Sequence, residues 1–182
     1  MQGLSFQVQQ PAPSQIAPAN QSVHILVVNC EAEFAEAPLV TISFSVGGVA
    51  RRLTLRLPVT VARFVTPVQI NSQDFFSRWK QIGNESGRET FKDFKSGPSV
   101  NPEFVKQVLT AFQLSILDGI DPNPSNFVSA GIFTSGNGTK AGVLIRVQLN
   151  PAADLTRVSV RSTSASVTAS LANYLALRLS SA

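Results

Sequence analysis

The sequence predicts an α+β protein, in which an all-β N-terminal part precedes a part where strands and helices alternate. Three observations support this prediction. The first third alternates apolar and polar residues at strand spacing, two later segments repeat apolar residues at helical spacing, and further strand-like segments lie between those two. With 182 residues, 43% of them hydrophobic and 14% charged, the chain is long enough to bury a substantial core.

Four strands are predicted in the N-terminal part. In Ala50–Leu57 the leucines fall on one face, so we expect one buried and one solvated face, as in an antiparallel sandwich. Gly47 and Gly48 indicate a hairpin turn before this strand. The four predicted strands are Ser5–Gln9, Ser22–Cys30, Pro38–Val46 and Ala50–Leu57.

The C-terminal part follows a predicted connector between two units, Pro58–Ile70. A helix is expected from Ser72, whose side chain would cap it, to the stop signal Gly83-Asn84. A weaker helical stretch is expected at Glu89–Lys95, and Phe104–Leu117 begins like a helix but ends as an apolar segment. The remaining predictions are strands at Phe127–Thr134, Gly142–Leu149 and Leu155–Arg161, and a closing helix at Ala165–Leu179.

The residues needed for most enzyme mechanisms are scarce. His24 is the only histidine and Cys30 the only cysteine. A nucleophilic mechanism needs a base held by an orienting partner, and a zinc site needs three or four ligands. We therefore predict a protein that is not an enzyme and holds no cofactor or metal, with His24 half-buried in a strand.

Compartment and membrane contact follow from the same composition. No apolar stretch approaches the roughly 18–20 residues that cross a bilayer. The N terminus lacks the basic and apolar regions of a secretion signal, and a single cysteine suits a reducing compartment. The sequence therefore predicts a cytoplasmic protein that does not insert into a membrane.

Charge is unevenly placed along the chain. Residues 1–139 carry ten basic and ten acidic residues, whereas residues 140–182 carry five basic residues and one acidic residue. A local positive excess favours an acidic partner. It is too sparse to indicate nucleic acid by itself.

Three of those C-terminal arginines are predicted to share one sheet face. In the strands Gly142–Leu149 and Leu155–Arg161, the apolar residues can reach one core only if the polar ones point outward. A hairpin joining the two strands would then place Arg146, Arg157 and Arg161 together. Guanidinium groups bind carboxylates with two-point geometry, so we predict a basic patch for acidic ligands. Three solvated arginines on an ordinary wet face are the alternative.

The predicted helix at Ser72 carries the second feature of interest. Phe76 and Trp79 are three residues apart and therefore neighbours on its surface, while Phe75 and Ile82 are expected to face inward. If Phe76 and Trp79 are partly exposed, they form an aromatic ledge for an apolar anchor. If Trp79 is fully buried, it is only a core residue.

Several motifs resemble the alpha-adaptin C-terminal appendage (ear) of the plasma-membrane clathrin adaptor complex. The two most specific are Asp-Phe-Phe-x-Arg-Trp-Lys and Asp-Pro-Asn-Pro. The similarity extends from about residue 20 to the end of the chain. The segments that carry it are Asn29–Pro38, Leu57–Thr60, Ser72–Ile82, Asp121–Gly131 and Gly142–Arg146.

The resemblance implies a fold and a binding site. It implies a truncated antiparallel β-sandwich at residues 1–66, lacking the family's first strands, and a platform of antiparallel sheet with flanking helices at residues 67–182. It implies peptide-binding residues Phe76, Trp79, Arg146, Gln148, Arg157 and Arg161, and a residue of a second site on the sandwich at Gln21. The family has an acidic residue where this chain has Gln148, which would make the patch more positive.

The resemblance also implies a function. The expected partners are short Asp-Pro-Phe, Asp-Pro-Trp and Phe-x-Asp-x-Phe motifs in the disordered tails of endocytic accessory proteins, together with the other adaptor subunits. The expected location is peripheral, at clathrin-coated pits of the plasma membrane. Three alternatives stay open: a structural adaptor-like domain, an oligonucleotide-binding basic sheet and a small enzyme of unknown type.

Overall fold

The computed structural model describes residues 3–181 and contains three α-helices and ten strands in that range. The helices are α1 (Ser72–Gly83), α2 (Pro102–Ala111) and α3 (Ala165–Ser180). The strands are β1 (Leu4–Gln10), β2 (Ile25–Cys30), β3 (Leu39–Val46), β4 (Val49–Arg56), β5 (Val65–Pro67), β6 (Glu89–Lys95), β7 (Ser115–Ile116), β8 (Asn126–Thr134), β9 (Lys140–Asn150) and β10 (Leu155–Ser162). The predicted α+β class is confirmed.

A six-stranded antiparallel sheet organises the C-terminal part. Its order is β5-β8-β9-β10-β6, and β7 also pairs with β8. One face packs with α2 and α3 to form the main core, which contains Ile145, Val160 and Leu171. The other face carries a smaller core beneath α1, in which Phe75 and Ile82 meet Leu144. Both faces of the sheet therefore have apolar cover where helices lie on them.

The predicted elements of this part are largely confirmed. Strands β8, β9 and β10 and the helices α1 and α3 lie where alternation and helical periodicity placed them. The predicted cap of α1 was wrong by one residue. Asn71 is the cap, because its side-chain oxygen accepts a hydrogen bond from the Asp74 amide at 2.8 Å.

Two ambiguous segments are settled by their neighbours. The predicted helical stretch Glu89–Lys95 is strand β6, which pairs along its whole length with β10. The segment Phe104–Leu117 changes from α2 to β7 at Gln113, whose φ of 58° is left-handed and ends the helical path. A segment of seven residues is too short for its periodicity to distinguish a helix from a strand. Glu89–Lys95 becomes a strand because it can pair with the otherwise free edge of β10.

The N-terminal strands form two separate antiparallel pairs, β1-β2 and β3-β4. The predicted glycine turn joins β3 to β4, and both glycines there have positive φ. Leu4 and Cys30 at one end of the β1-β2 pair enter the main core. The prediction of a buried face on β4 was wrong, since every residue of that strand is exposed. Alternation made the strand amphipathic, but none of residues 3–181 forms a second layer over its apolar face.

The predicted connector Pro58–Ile70 is more than a linker. Val61–Phe64 form a 3-10 helix whose Val61 is buried in the main core, and β5 then pairs with β8. The expected division at residues 66 and 67 falls within β5. None of the helices in residues 3–181 is long and apolar enough to cross a membrane.

Candidate functional site

Helix α1 presents a tier of three aromatic side chains. Phe75 is fully buried, and its ring stacks on Trp79 with centroids 5.5 Å apart and an angle of 19° between planes. Phe76 meets Phe75 edge-on at 5.4 Å and is 41% exposed. Trp79 is partly buried. The prediction that Phe75 and Ile82 face inward is confirmed, and the indole is neither sealed in the core nor free in solvent.

The three arginines lie on one face of the sheet, as predicted. In the register of β9 and β10, Arg146 is directly opposite Ser159, and Arg157 and Arg161 flank Ser159 at two residues on either side. Directly paired residues of an antiparallel ladder share a face, and diagonal neighbours have Cβ atoms roughly 7–8 Å apart. The arginines therefore surround a small serine, on the same face as α1.

Arg161 joins this arginine cluster to the aromatic tier. Its guanidinium carbon lies 4.5 Å from the centroid of the Trp79 ring, and Nη1 donates to the Trp79 carbonyl oxygen. Gly83 makes room for this contact, since a Cβ at that position would lie 2.4 Å from the guanidinium carbon. A cation over an indole face is attracted by the ring quadrupole. The sequence marked Gly83 only as a helix stop, and its place beside Arg161 was missed.

Each arginine of the predicted basic patch is paired with a carboxylate, a pairing that was not predicted from the sequence. Arg146 contacts Asp121 at 2.7 Å, Arg157 contacts Asp93 at 2.6 Å, and Arg161 contacts Glu89 at 2.8 Å. These carboxylates come from β6 and from the Asp-Pro-Asn-Pro turn, both earlier in the chain. The uneven charge along the sequence is therefore balanced in space at this face.

The Arg146–Asp121 pair is the most enclosed of the three. The Asp121 side chain is 3% exposed and also accepts from the Asn123 amide and the Asn126 side chain, both at 3.0 Å. Burial raises the pKa of Asp121, but these two hydrogen bonds and the charge of Arg146 outweigh it, and the pKa lies below its ordinary value. The turn thus fixes Arg146 in place.

The Arg157–Asp93 pair is open to solvent. Arg157 donates from Nε and Nη2 to the two Asp93 oxygens at 2.6 and 2.7 Å. This hydrogen-bonded contact lowers the pKa of Asp93 and raises that of Arg157. The guanidinium carbon also lies 5.3 Å from the centroid of Phe91.

Phe91, Asp93 and Glu89 were missed because their segment was predicted to be helical. All three are on β6, on the face that carries the arginines, as their register with Ser159, Arg157 and Arg161 shows. Phe91 is 59% exposed, which is unusual for a phenylalanine held on a strand. The Ser86-Gly87 turn signal before this short segment was the one local hint of a strand.

The two glutamines predicted at binding sites lie in different places. Gln148 is partly buried on the arginine face, between Asn126 on β8 and Arg157 on β10. Gln21 is exposed in the segment between β1 and β2, away from the strands that carry the arginines. Gln148 therefore shares a sheet face with the arginines and α1, whereas Gln21 belongs to a segment outside the six-stranded sheet.

His24 and Cys30, the single histidine and the single cysteine of the sequence, differ in solvent exposure. His24 is exposed just before β2, so the prediction of a half-buried strand residue was wrong. Cys30 is buried, and burial together with the nearby charges of Glu31 and Glu33 raises the pKa of its thiol to about 11. Within residues 3–181 no three His, Cys, Asp or Glu side chains converge to hold a metal ion.

Comparison with known proteins agrees with this architecture. A family model described as "Alpha adaptin AP2, C-terminal domain" matches residues 63–179, which span the six-stranded sheet and all three helices. The chain is 35% identical to AP-2 complex subunit alpha-2 of Dictyostelium discoideum over 175 residues, which cover 95% of this chain and 18% of that protein.

Other relatives show the same pattern. Identity is 33% over 144 residues with AP-2 complex subunit alpha of Schizosaccharomyces pombe, covering 79% of this chain and 16% of that protein. It is 28% over 144 residues with AP-2 complex subunit alpha-1 of Arabidopsis thaliana, covering 78% and 14%. The chain spans less than a fifth of the length of these relatives. Its matched segment, fold and aromatic helix place it in the family of the alpha-adaptin AP2 C-terminal domain.

Proposed function

We propose that this chain is the appendage of a clathrin adaptor alpha subunit and docks short acidic, aromatic peptides on the face shared by α1 and the three arginines. The observation that carries the proposal is the contact between Arg161 and the Trp79 indole, with Arg146 and Arg157 on the same face. An aromatic ledge beside guanidinium groups suits a ligand with a ring and a carboxylate a few residues apart.

The mechanism is docking without a chemical step. A phenylalanine or tryptophan of the peptide packs on Phe76 and Trp79, and its aspartate meets an arginine. A disordered motif must be ordered on binding, so one motif binds weakly, with a Kd of about 10 μM. Several motifs in one tail gain avidity through effective concentration.

The biological setting follows from the family. The ligands are motifs of the Asp-Pro-Phe, Asp-Pro-Trp and Phe-x-Asp-x-Phe kind in the tails of endocytic accessory proteins, and the other partners are the remaining adaptor subunits. The domain works on the cytoplasmic side of the plasma membrane, at clathrin-coated pits, and has no enzymatic activity.

The binding test is a titration of an Asp-Pro-Phe peptide against three proteins by calorimetry or fluorescence anisotropy. Wild type should bind with micromolar affinity, and Trp79→Ala should lose at least tenfold. Phe44→Ala is the control, because Phe44 is an aromatic residue exposed on β3, outside the sheet that carries the arginines. Equal binding by wild type and Trp79→Ala would rule out this site.

A nucleic-acid-binding sheet is the alternative with some structural support, since Phe91 is an exposed aromatic beside the arginines. The ion pairs argue against it, because a nucleic-acid backbone must engage several positive charges at once, whereas a peptide aspartate needs only one arginine. Nucleic-acid binding draws on unpaired positive charge and falls steeply with salt. A peptide affinity that falls only slightly with salt and no retention of single-stranded DNA at 150 mM salt are the expected results (about the physiological value).

A further inference from the structure

The three arginines differ in how many of their donors are already used within residues 3–181. All three side-chain nitrogens of Arg161 have a partner, with Nε and Nη2 on Glu89 and Nη1 on the Trp79 carbonyl oxygen. Arg146 places Nε and Nη2 on one oxygen of Asp121. Arg161 is held against the indole by these three contacts, and Arg146 is held at the turn because its partner Asp121 is only 3% exposed.

Arg157 is the arginine most accessible to a ligand. Its side chain is 51% exposed and its partner Asp93 is 47% exposed, whereas the Arg161 side chain is only 17% exposed. Asp93 lies directly across the ladder from Arg157, on the edge strand β6. Its two oxygens occupy the Nε and Nη2 donors, which form one of the two edges of a guanidinium that can grip a carboxylate.

From these contacts we infer that Asp93 is a built-in competitor for the acidic residue of the peptide, and that Arg157 is the residue for which the two compete. The inference rests on the proposed peptide-docking function. The Asp93 carboxylate has the same chemistry as a peptide aspartate and is already in place. A ligand must displace it or share Arg157 with it, so Asp93 lowers the affinity for acidic motifs.

Displacement is feasible because the pair is exposed. Solvent-exposed ion pairs contribute little free energy, so releasing one weakens ligand binding by about two- to fivefold and does not block it. Arg157 also keeps its contact with the Phe91 ring, 5.3 Å away, when Asp93 is removed. The guanidinium therefore stays on the binding face in an Asp93 variant, and the competing carboxylate is what changes.

The device is not an acid-operated switch. The Arg157 contact lowers the pKa of Asp93, so Asp93 remains ionised at a pH where an unpaired peptide aspartate begins to protonate. As the pH falls, the peptide aspartate is therefore protonated, and its binding to Arg157 weakened, before Asp93 is protonated and leaves Arg157. Binding should fall below about pH 4, the ordinary range of an aspartate, in both wild type and Asp93→Asn.

The test compares Asp93→Asn with a variant carrying the same charge change elsewhere. Asp118→Asn is the matched control, because Asp118 is an exposed aspartate in the platform, paired with Lys106 at 3.2 Å. An Asp-Pro-Phe peptide should bind Asp93→Asn about two- to fivefold more tightly than wild type. Asp118→Asn should match wild type. An Asn-Pro-Phe peptide should bind all three proteins equally and more weakly.

Arg157→Gln completes the experiment. The tighter peptide binding caused by Asp93→Asn should vanish in an Arg157→Gln background, because the guanidinium for which Asp93 and the peptide compete is then absent. Unchanged or weaker binding by Asp93→Asn overturns the inference, as does a gain that survives Arg157→Gln. If binding is lost in Trp79→Ala but insensitive to Asp93→Asn, only this inference fails. If wild type and Asp93→Asn both fail to bind, the proposed function fails with it.

Discussion

The β3-β4 pair and the six-stranded sheet use the same local pattern, yet only one of them builds a core. Val143, Ile145 and Val147 occupy alternate positions on one face of β9 and are fully buried under α2 and α3. Ile42 and Leu53, paired across β3 and β4, alternate in the same way and are exposed. Alternation makes a strand amphipathic, but its apolar face stabilises the fold only when a second layer of structure buries it.

The β1-β2 pair is intermediate between these two regions. Its Leu4 and Cys30 pack into the main core, and the Cys30 carbonyl accepts a hydrogen bond from Gly136 in the β8-β9 turn. Phe6 and Val8, farther along β1, are exposed. Stability contributed by the N-terminal strands should therefore decrease with distance from the six-stranded sheet.

The largest difference in unfolding free energy should be between a truncation in the six-stranded sheet and one in the β3-β4 pair. Phe133→Ala removes a fully buried ring from β8 and should lower the free energy of unfolding by about 3–5 kcal/mol. Ile42→Ala truncates an exposed side chain and should change it by less than about 0.5 kcal/mol. Urea titrations followed by Trp79 fluorescence measure both. A large loss from Ile42→Ala would mean that the β3-β4 face is covered in solution.

The next effect compares two ion pairs on one face. Asp121→Asn leaves Arg146 without its enclosed partner and should cost about 1.5–3 kcal/mol of unfolding free energy. Asp93→Asn breaks an exposed pair and should leave the urea midpoint nearly unchanged. Similar losses from the two variants would contradict the distinction between a fixed and an open arginine.

The pH dependence of stability should report the same difference. The folded protein holds the pKa of Asp121 below its ordinary value, so ionised Asp121 stabilises the fold. This contribution is complete above about pH 4, the unfolded value, and is lost as pH falls through the folded pKa. Urea titrations from pH 6 to pH 2.5 should show a shallower decline for Asp121→Asn than for wild type. Parallel curves would contradict this assignment.

A smaller effect should appear where the connector joins the sheet. Gly131 on β8 approaches β5 so closely that a Cβ would lie 2.6 Å from Val65. Gly131→Ala should therefore cost about 1–3 kcal/mol, because the edge strand must shift. Gly142→Ala is the control, since a Cβ there meets no atom within 4 Å. Equal stability of the two variants would show that β5 is loosely held.

The smallest perturbation uses the native thiol as a probe of β2. Burial raises the Cys30 pKa to about 11, so at pH 8 its reaction with a disulfide reagent should be far slower than that of an unfolded-state thiol. Adding urea below the global midpoint should accelerate the reaction if the β1-β2 pair opens before the sheet. A fast reaction without urea would show that β2 does not stay docked.

In the candidate site, the directions of the side chains were predictable from the sequence, whereas their long-range partners were not. The inward direction of Phe75 and the common face of Arg146, Arg157 and Arg161 follow from periods of 3.6 and 2 residues, and both were predicted. Their carboxylate partners were not. Asp93 and Glu89 are 64 and 72 residues from the arginines they contact, and sequence spacing carries no record of such pairs.

The sequence by itself determined the strands and helices with clear periods, the faces they present and the family of the chain. Those properties depend on neighbouring residues and on backbone geometry. The tertiary structure alone decided that Glu89–Lys95 is a strand, that three arginines are paired with carboxylates and that the apolar face of β4 is exposed. Pairing, charge balance and burial depend on which distant residues meet, and folding around the core sets those meetings.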